Sequence, residues 1–580
     1  MFLPTTKEEV ERLGWSCPDI ILVSGDSYID SPYIGIALIG KWLMAQGYKV
    51  AVIAQPEINS PEDITRLGEP GLFWGVSGGC IDSMVANWTA SGKRRNRDDF
   101  TPGGENNRRP DRAVIAYSNL IRRYFKNTKP IVLGGIEASL RRLAHFDFKS
   151  GKIRRSLLLD AKADFLLYGM AEHSVLELAN ALNNGESVSE IKGLCYISDT
   201  QPENAIILPS YEECLKNEEK FLNFSMKFFS NTEPFNGELM VQLHGKRYIV
   251  HNPPAEYLTS KELDFVYELD FERELHPFYA KEGRVRALDT IRFSVTTHRG
   301  CFGNCSFCAI AVHQGRIIRS RSEASIIKEV KSFLTNKSFK GVISDIGGPT
   351  ANMYMATCEM MDKGKVCSSK KCLFPQVCSN LKQGHGSQIN LLKKIKQISG
   401  IKKVFVASGI RYDMILSDSG TGLSYLKYIM KNGLISGQMK IAPEHTEEKI
   451  LHLMQKPKLE TLTEFKTLFD SINSGLQKKL YLTYYLIAAH PGCTQGDMSE
   501  MKKILKDKLG HIPEQIQIFT PTPSTISTLM YYTELNPFSN LNCFVEKNPH
   551  KREVQKRIIS DKKSPISHFR KKNYNTFKKK

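Results

Sequence analysis

Two long runs of this chain alternate short apolar stretches with stretches of helical period. A chain patterned in this way pairs its strands in parallel and covers the sheet with helices. In the first run, residues 19–24 (DIILVS), 48–53 (YKVAVI), 72–76 (LFWGV), 130–134 (PIVLG) and 164–168 (DFLLY) read as buried strands, with helices over 34–46, 113–126 and 171–182. Residues 1–200 are therefore expected to form a doubly wound α/β domain. A polar, Arg-rich stretch at 91–112 interrupts it and reads either as a lid or binding loop or as a tolerated insertion. Residues 201–286 show little periodicity and are taken as a connecting segment with some helix and strand. From 287 to 550 the alternation returns. Strands are expected at 291–296, 340–345, 402–407, 436–441, 480–488 and 514–519, with helices over 322–335, 388–397, 417–431, 458–472 and 498–508. That succession predicts a partial (β/α) barrel, whose chemistry belongs to the loops after its strand ends.

Cysteine placement narrows the chemistry. Seven of the 13 cysteines lie between Cys301 and Cys378. The chain has no apolar stretch of the roughly 20 residues that cross a bilayer. Its first residues, MFLPTTKEEVERLGW, lack the order of a secretory signal. The expected location is the cytoplasm, with no membrane partner. In that reducing setting, clustered thiols hold metal or do chemistry more often than they form bridges. Charge is uneven as well: residues 551–580 hold 12 Lys/Arg against 2 Asp/Glu, a net +10 of the chain's +19. The segment is expected to be a basic, disordered tail, with contact to nucleic acid as the competing reading.

The first expected barrel strand ends in TTHRGCFGNCSFCAIAVHQGR, which contains Cys301-x3-Cys305-x2-Cys308. Thiolates are soft ligands suited to iron–sulfur clusters. Three of them hold three irons of a cubane and leave the fourth iron open to an outside ligand. Gly300 and Gly303 let the loop curl, and Phe307 precedes the third cysteine. The competing reading is zinc, with His298 or His313 as a fourth ligand.

These residues resemble the signature of the radical S-adenosylmethionine (SAM) superfamily. More narrowly, the chain is similar to the YgiQ family through GDSYIDSP (25–32), DDFTPG (98–103), VLGGIEASLRRLAHFD (132–147), ADFLLYGMAE (163–172), SVTTHRGCFGNCSFCAI (294–310), SDIGGPTANMY (344–354), SGIRYD (408–413), KIAPEH (440–445) and PTPSTISTLMYYT (521–533). The resemblance implies that Cys301, Cys305 and Cys308 ligate a [4Fe–4S] cluster and that Phe307 lies near the adenine of SAM. It implies that Gly347-Gly348-Pro349 offers backbone groups to the methionyl amine, with Pro349 where the superfamily has Glu. Arg411 is expected to meet the cofactor carboxylate. The implied activity is reductive cleavage of SAM to a 5′-deoxyadenosyl radical that attacks an unknown substrate. The electron would come from a flavodoxin- or ferredoxin-like donor.

Cys358, Cys367, Cys372 and Cys378 form a second group with x8, x4 and x5 spacing. They are read as an auxiliary iron–sulfur cluster or a structural zinc site, against a loop of buried thiols. Gly134-Gly135 and the doubly wound pattern resemble a cobalamin-binding domain. However, Gly25-Asp26-Ser27-Tyr28 stands where an Asp-x-His-x-x-Gly loop would supply an axial ligand. The expectation is a scaffold or substrate domain without a corrinoid. His298, His385, His445 and His490 show no metal spacing and are read as structural. Two other functions are kept open: RNA modification of the methylthiolation kind, and a non-enzymatic iron–sulfur protein.

Overall fold

The computed structural model describes residues 1–362, 365, 367, 371–513 and 516–560. Its N-terminal strands follow the apolar runs. Val50–Ala54, Ile20–Ser24, Phe73–Ser77, Ile131–Gly134 and Phe165–Leu167 lie side by side in that order, all parallel. Alternate residues face opposite sides of this sheet. Ile21, Val23, Trp74 and Leu133 pack into one apolar cluster, whereas Ile20, Leu22, Phe73 and Val132 pack into another. Helices such as Gly35–Ala45 and Ala113–Tyr124 cover the two faces, which is why the strands read as continuous rather than alternating apolar runs.

Three expectations need correction. Residues 201–286 are not merely a connector. Ile206–Leu208, Met240–His244 and Arg247–His251 extend the sheet beyond the antiparallel strand Leu194–Ser198. These strands are short and partly joined by a two-residue turn at Gly245-Lys246, so no long period betrayed them. The loop 91–112 is not free to act as a lid. Its Arg109, 1% exposed, pairs with Asp26 at 2.6 Å and Asp98 at 3.0 Å and pins the loop to the end of the first strand. The basic terminal region begins as a helix, Pro549–Ile559. There Arg552 donates to the carbonyls of Ala90 and Phe519, and Gln555 exchanges hydrogen bonds with Cys493 and Ala489. Two polar side chains turned inward explain why a charged stretch is ordered. Residues 561–580 lie outside the described residues.

In the second half, parallel ladders join Ser294–Thr296 to Asp345–Gly347, Val342–Ile343 to Lys403–Val404, and Gln438–Glu444 to Tyr481–Ala488 and on to Gln517–Ile518. A single parallel bridge, Ile410 to Ile441, connects the third strand position to the fourth. Helices including Glu323–Ser332, His385–Lys396 and Leu459–Ser474 follow the strands and close one apolar core around Ile346, Leu391 and Phe465. No helix among the described residues is long and apolar enough to cross a membrane.

Burial of histidine makes the N-terminal fold sensitive to acid. Burial holds His145 down to about 4, with Arg141 opposing its charge, and holds His244 down to about 3, with Arg155 opposing. In the unfolded chain both titrate near 6.5. Below that value the unfolded state takes up protons that the folded state refuses, so stability present above it is lost as pH falls. Asp147 acts in the same direction at lower pH. Burial alone would raise its pKa, but Arg141 and the Ser150 N–H hold it below the usual carboxylate range. The urea midpoint is expected to fall between about pH 7 and about pH 5. A flat midpoint would contradict this account.

Candidate active site

The loop after the first strand of the second half carries the cysteine triplet. Gly300 takes a left-handed backbone angle, φ 80°, and a Cβ there would sit 2.1 Å from the Ile317 carbonyl oxygen. Only glycine allows that crossing. The chain then curls so that Cys301 and Cys305 lie on one side of Gly303. A Cβ on Gly303 would be 3.3 Å from Cys301 Sγ, 3.6 Å from Cys305 Sγ and 3.0 Å from Arg411 Nη1. The N–H of Cys308 donates to the Cys305 carbonyl at 3.0 Å, which turns the third thiol toward the other two. Burial, then the neighbouring Cys305 and Cys301, push the Cys308 thiol up to about 12. Three thiols gathered by one tight loop could serve as the donor set of a cluster.

Around this cradle, Cys301 Sγ lies 3.4 Å from Thr350 Oγ1, and Lys371 Nζ donates to the Asn304 carbonyl at 2.9 Å. The structure revises the expectation for Arg411. Its guanidinium is buried, but the bidentate face is spent on Asp413, with contacts of 2.8 and 2.6 Å. The remaining Nη1 points at Cys305 Sγ, 3.8 Å away. Arg411 thus faces the thiolates rather than presenting a free fork to a carboxylate. Asp413 was missed, although an Arg two residues before an Asp within SGIRYD was its available signal.

Gly347 closes the second strand, and both lone pairs of its carbonyl are taken by Thr297, through N–H at 2.7 Å and Oγ1 at 3.1 Å. A Cβ on Gly348 would lie 2.6 Å from His298 Cε1, so His298 and the glycine loop fit only without a side chain there. Phe307 sits at the seam of the two halves, packed on both cores and edge-on to His490 at 6.3 Å.

The four histidines read as structural are all buried and bonded. His385 bridges Asp418 and Asn352, His490 meets Ser527 at 2.7 Å and the Pro491 carbonyl, and His445 accepts from the Glu447 N–H. His298 pairs with Thr297 through Nδ1, and its Nε2 has no partner.

The C-terminal ends of the N-terminal strands and the glycine loop of the second half face one another across a cavity of about 540 Å³. Ser24, Ser77 and Gly134 line one wall, and Thr296, Gly347, Gly348 and Ser408 line the other. Ligands of open α/β sheets bind beyond these strand ends. A buried ion pair, Glu172 to Arg299 at 2.6 Å, joins the two walls. His313 adds a 2.9 Å contact to Ser139. Pairs so far apart in sequence left no local signal. Cys301, Cys305 and Cys308 do not line this cavity; Cys301 Sγ lies 3.4 Å from Thr350, the residue after Pro349 on its wall.

Residues 2–294 match the family described as Radical SAM N-terminal, and residues 514–577 match a domain of unknown function, DUF3362. A UPF0313 protein of Fusobacterium nucleatum is 56% identical over 563 residues, spanning 97% of this chain and 99% of its own length. One from Thermotoga maritima is 46% identical over 566 residues, with 97% and 99% covered. Among solved structures, the fold is similar to TsrM from Kitasatospora setae, a radical S-adenosylmethionine methyltransferase. The TM-score is 0.52 at 12% identity, with 95% of this chain and 91% of that chain covered, and TsrM was solved with cobalamin and a [4Fe–4S] cluster bound. A second TsrM structure, with tryptophan substrate and the SAM analog aza-SAM, gives a TM-score of 0.50. The expectation against a corrinoid is therefore corrected. TsrM, whose fold is similar, was solved with cobalamin bound.

Proposed function

This chain belongs to the UPF0313 family of radical SAM proteins, and on that premise we propose that it is an enzyme whose Cys301, Cys305 and Cys308 hold a [4Fe–4S] cluster and whose inter-domain cavity receives the substrate beside a corrinoid. The narrower kinship with the YgiQ family rests on the motifs quoted from the sequence. The observation that carries the functional reading is the shared chamber: the glycine loop beside the cysteine cradle and the strand ends of the N-terminal domain open into one space.

When bound, the cluster with SAM supplies reductive cleavage of a sulfur–carbon bond and hydrogen abstraction, and a corrinoid supplies methyl transfer. The chain's own residues do the positioning. Arg411, held by Asp413, sets a positive charge against the thiolates. With the Gly347 carbonyl committed to Thr297, Gly348 and Pro349 are left to offer backbone groups to the methionyl amine. On the opposite wall, Cβ atoms added to Gly35 or Gly134 would meet nothing within 4 Å, so bare backbone faces the cavity there and fits a broad planar group. Asp26 supplies no ligand to it, being taken by Arg109 and the Cys80 N–H. Glu172 and Arg299 keep the two walls in register. A flavodoxin- or ferredoxin-like donor delivers the electron. The RNA reading rested on the basic terminus and on a possible second cluster; the described part of that terminus is a helix bound inward through Arg552 and Gln555.

Protein incubated with hydroxocobalamin and desalted is expected to retain about one corrinoid per chain by absorbance, in the manner of a pre-formed pocket. Gly134→Trp, which fills the open wall, is expected to cut retention about tenfold or more, the loss of about 1.4 kcal/mol of binding. Reduced protein given SAM is expected to release 5′-deoxyadenosine. Absence of that product would sink the enzyme assignment. Absence of retained corrinoid would remove the cavity's ligand.

A further inference from the structure

We propose that Cys358, Cys367, Cys372 and Cys378 hold a second, fully ligated iron–sulfur cluster beside the first. All four are free thiols. Cys358, Cys372 and Cys378 belong to one small apolar cluster, formed around Phe302, Met353, Leu373 and Met414, which also takes in Cys301 of the cradle. The backbone draws them together. Cys358 pairs with Leu381 in a ribbon of two residue pairs, the Cys378 N–H donates to the Cys372 carbonyl at 2.8 Å, and the Leu381 N–H donates to the Cys378 carbonyl at 3.0 Å. Cys367 is tied in by Arg316, which donates to its carbonyl at 2.6 Å.

Among the described residues, this segment's regular structure is the two-pair ribbon and the four-residue helix Glu359–Asp362. Among the described residues, no three His, Cys, Asp or Glu side chains converge closely enough to share one ion. That holds equally for the Cys301 triplet. A single zinc needs four sulfurs about 2.3 Å from one point, whereas a cubane spreads them over a larger volume. Thiols drawn together by the backbone but converging on no single point fit a cluster rather than one zinc. Lys371, on the Asn304 carbonyl, places a cation where a thiolate-bound cluster leaves net negative charge, while Arg316, on the Cys367 carbonyl, is also paired with Glu233 at 3.2 Å. With four thiolates and no open iron, this centre binds no SAM.

The test is an iron and sulfide count on full-length chain reconstituted without oxygen. Parent protein is expected to carry about eight irons, two cubanes of four. Replacing Cys301, Cys305 and Cys308 with alanine is expected to leave about four. Replacing Cys358, Cys367, Cys372 and Cys378 with serine is also expected to leave about four, with the SAM-sensitive spectrum kept as proof that the cradle and the fold survive. Should the four-serine chain lose that spectrum, Cys367→Ser with Cys378→Ser alone must still lower the iron count. Equal iron in parent and four-serine chain, or zinc that disappears with these four cysteines, would overturn the proposal. A triple-alanine chain that keeps all its iron would instead overturn the assignment of the first cradle.

Discussion

Alanine at Cys301, Cys305 and Cys308 together is expected to take 5′-deoxyadenosine formation to background and to remove the part of the iron spectrum that responds to SAM. The reason is geometric. The loop brings Cys301 Sγ and Cys305 Sγ to one side of Gly303 and turns Cys308 toward them through its N–H bond to the Cys305 carbonyl. A three-thiolate cradle has no spare ligand, so losing its thiols loses the cluster rather than weakening it. Asp413→Asn is a graded companion. It leaves Arg411 in place but strips the partner that fixes its guanidinium near Cys305 Sγ. Partners of this outer kind typically cost about 10–100-fold when removed. If the triple-alanine protein makes product at the parent rate, the cradle is not where SAM is cleaved.

Arg109→Ala is expected to lower stability by about 3–5 kcal/mol, because it strands two carboxylates in the interior. Arg109 is 1% exposed, and Asp26 and Asp98, its partners, are buried with it. Arg108, next in the chain, pairs with Glu282 at 2.9 Å, but both are partly exposed, and Arg108→Ala is expected to cost about 0–1 kcal/mol. Restoring neutrality should recover part of the loss: Asp26→Asn and Asp98→Asn added to Arg109→Ala remove the charges left unpaired. Urea midpoints of the four proteins check this ordering. Arg109→Ala within about 0.5 kcal/mol of the parent would show that water reaches those carboxylates. Because Asp26 also lines the inter-domain cavity, the same variant is expected to retain less corrinoid.

The sequence by itself determined the parallel strands of the N-terminal sheet, the parallel succession of the second half and the three-thiolate loop. Each is local: an apolar run of about five residues is a buried strand wherever it lands, and glycines at 300 and 303 curl one loop without help from elsewhere. Family kinship was legible for the same reason, since it rests on contiguous motifs. What only the tertiary structure decided are pairings between residues far apart in the chain. Arg109 reaches Asp26, Glu172 reaches Arg299 and Arg552 reaches Ala90, and these contacts lock a loop, join two walls and order a basic helix. The period of a strand or helix says which way a side chain faces, not which partner waits there. It is packing that sets Asp413 beside the Arg411 guanidinium, and packing that forms the cavity the two halves enclose.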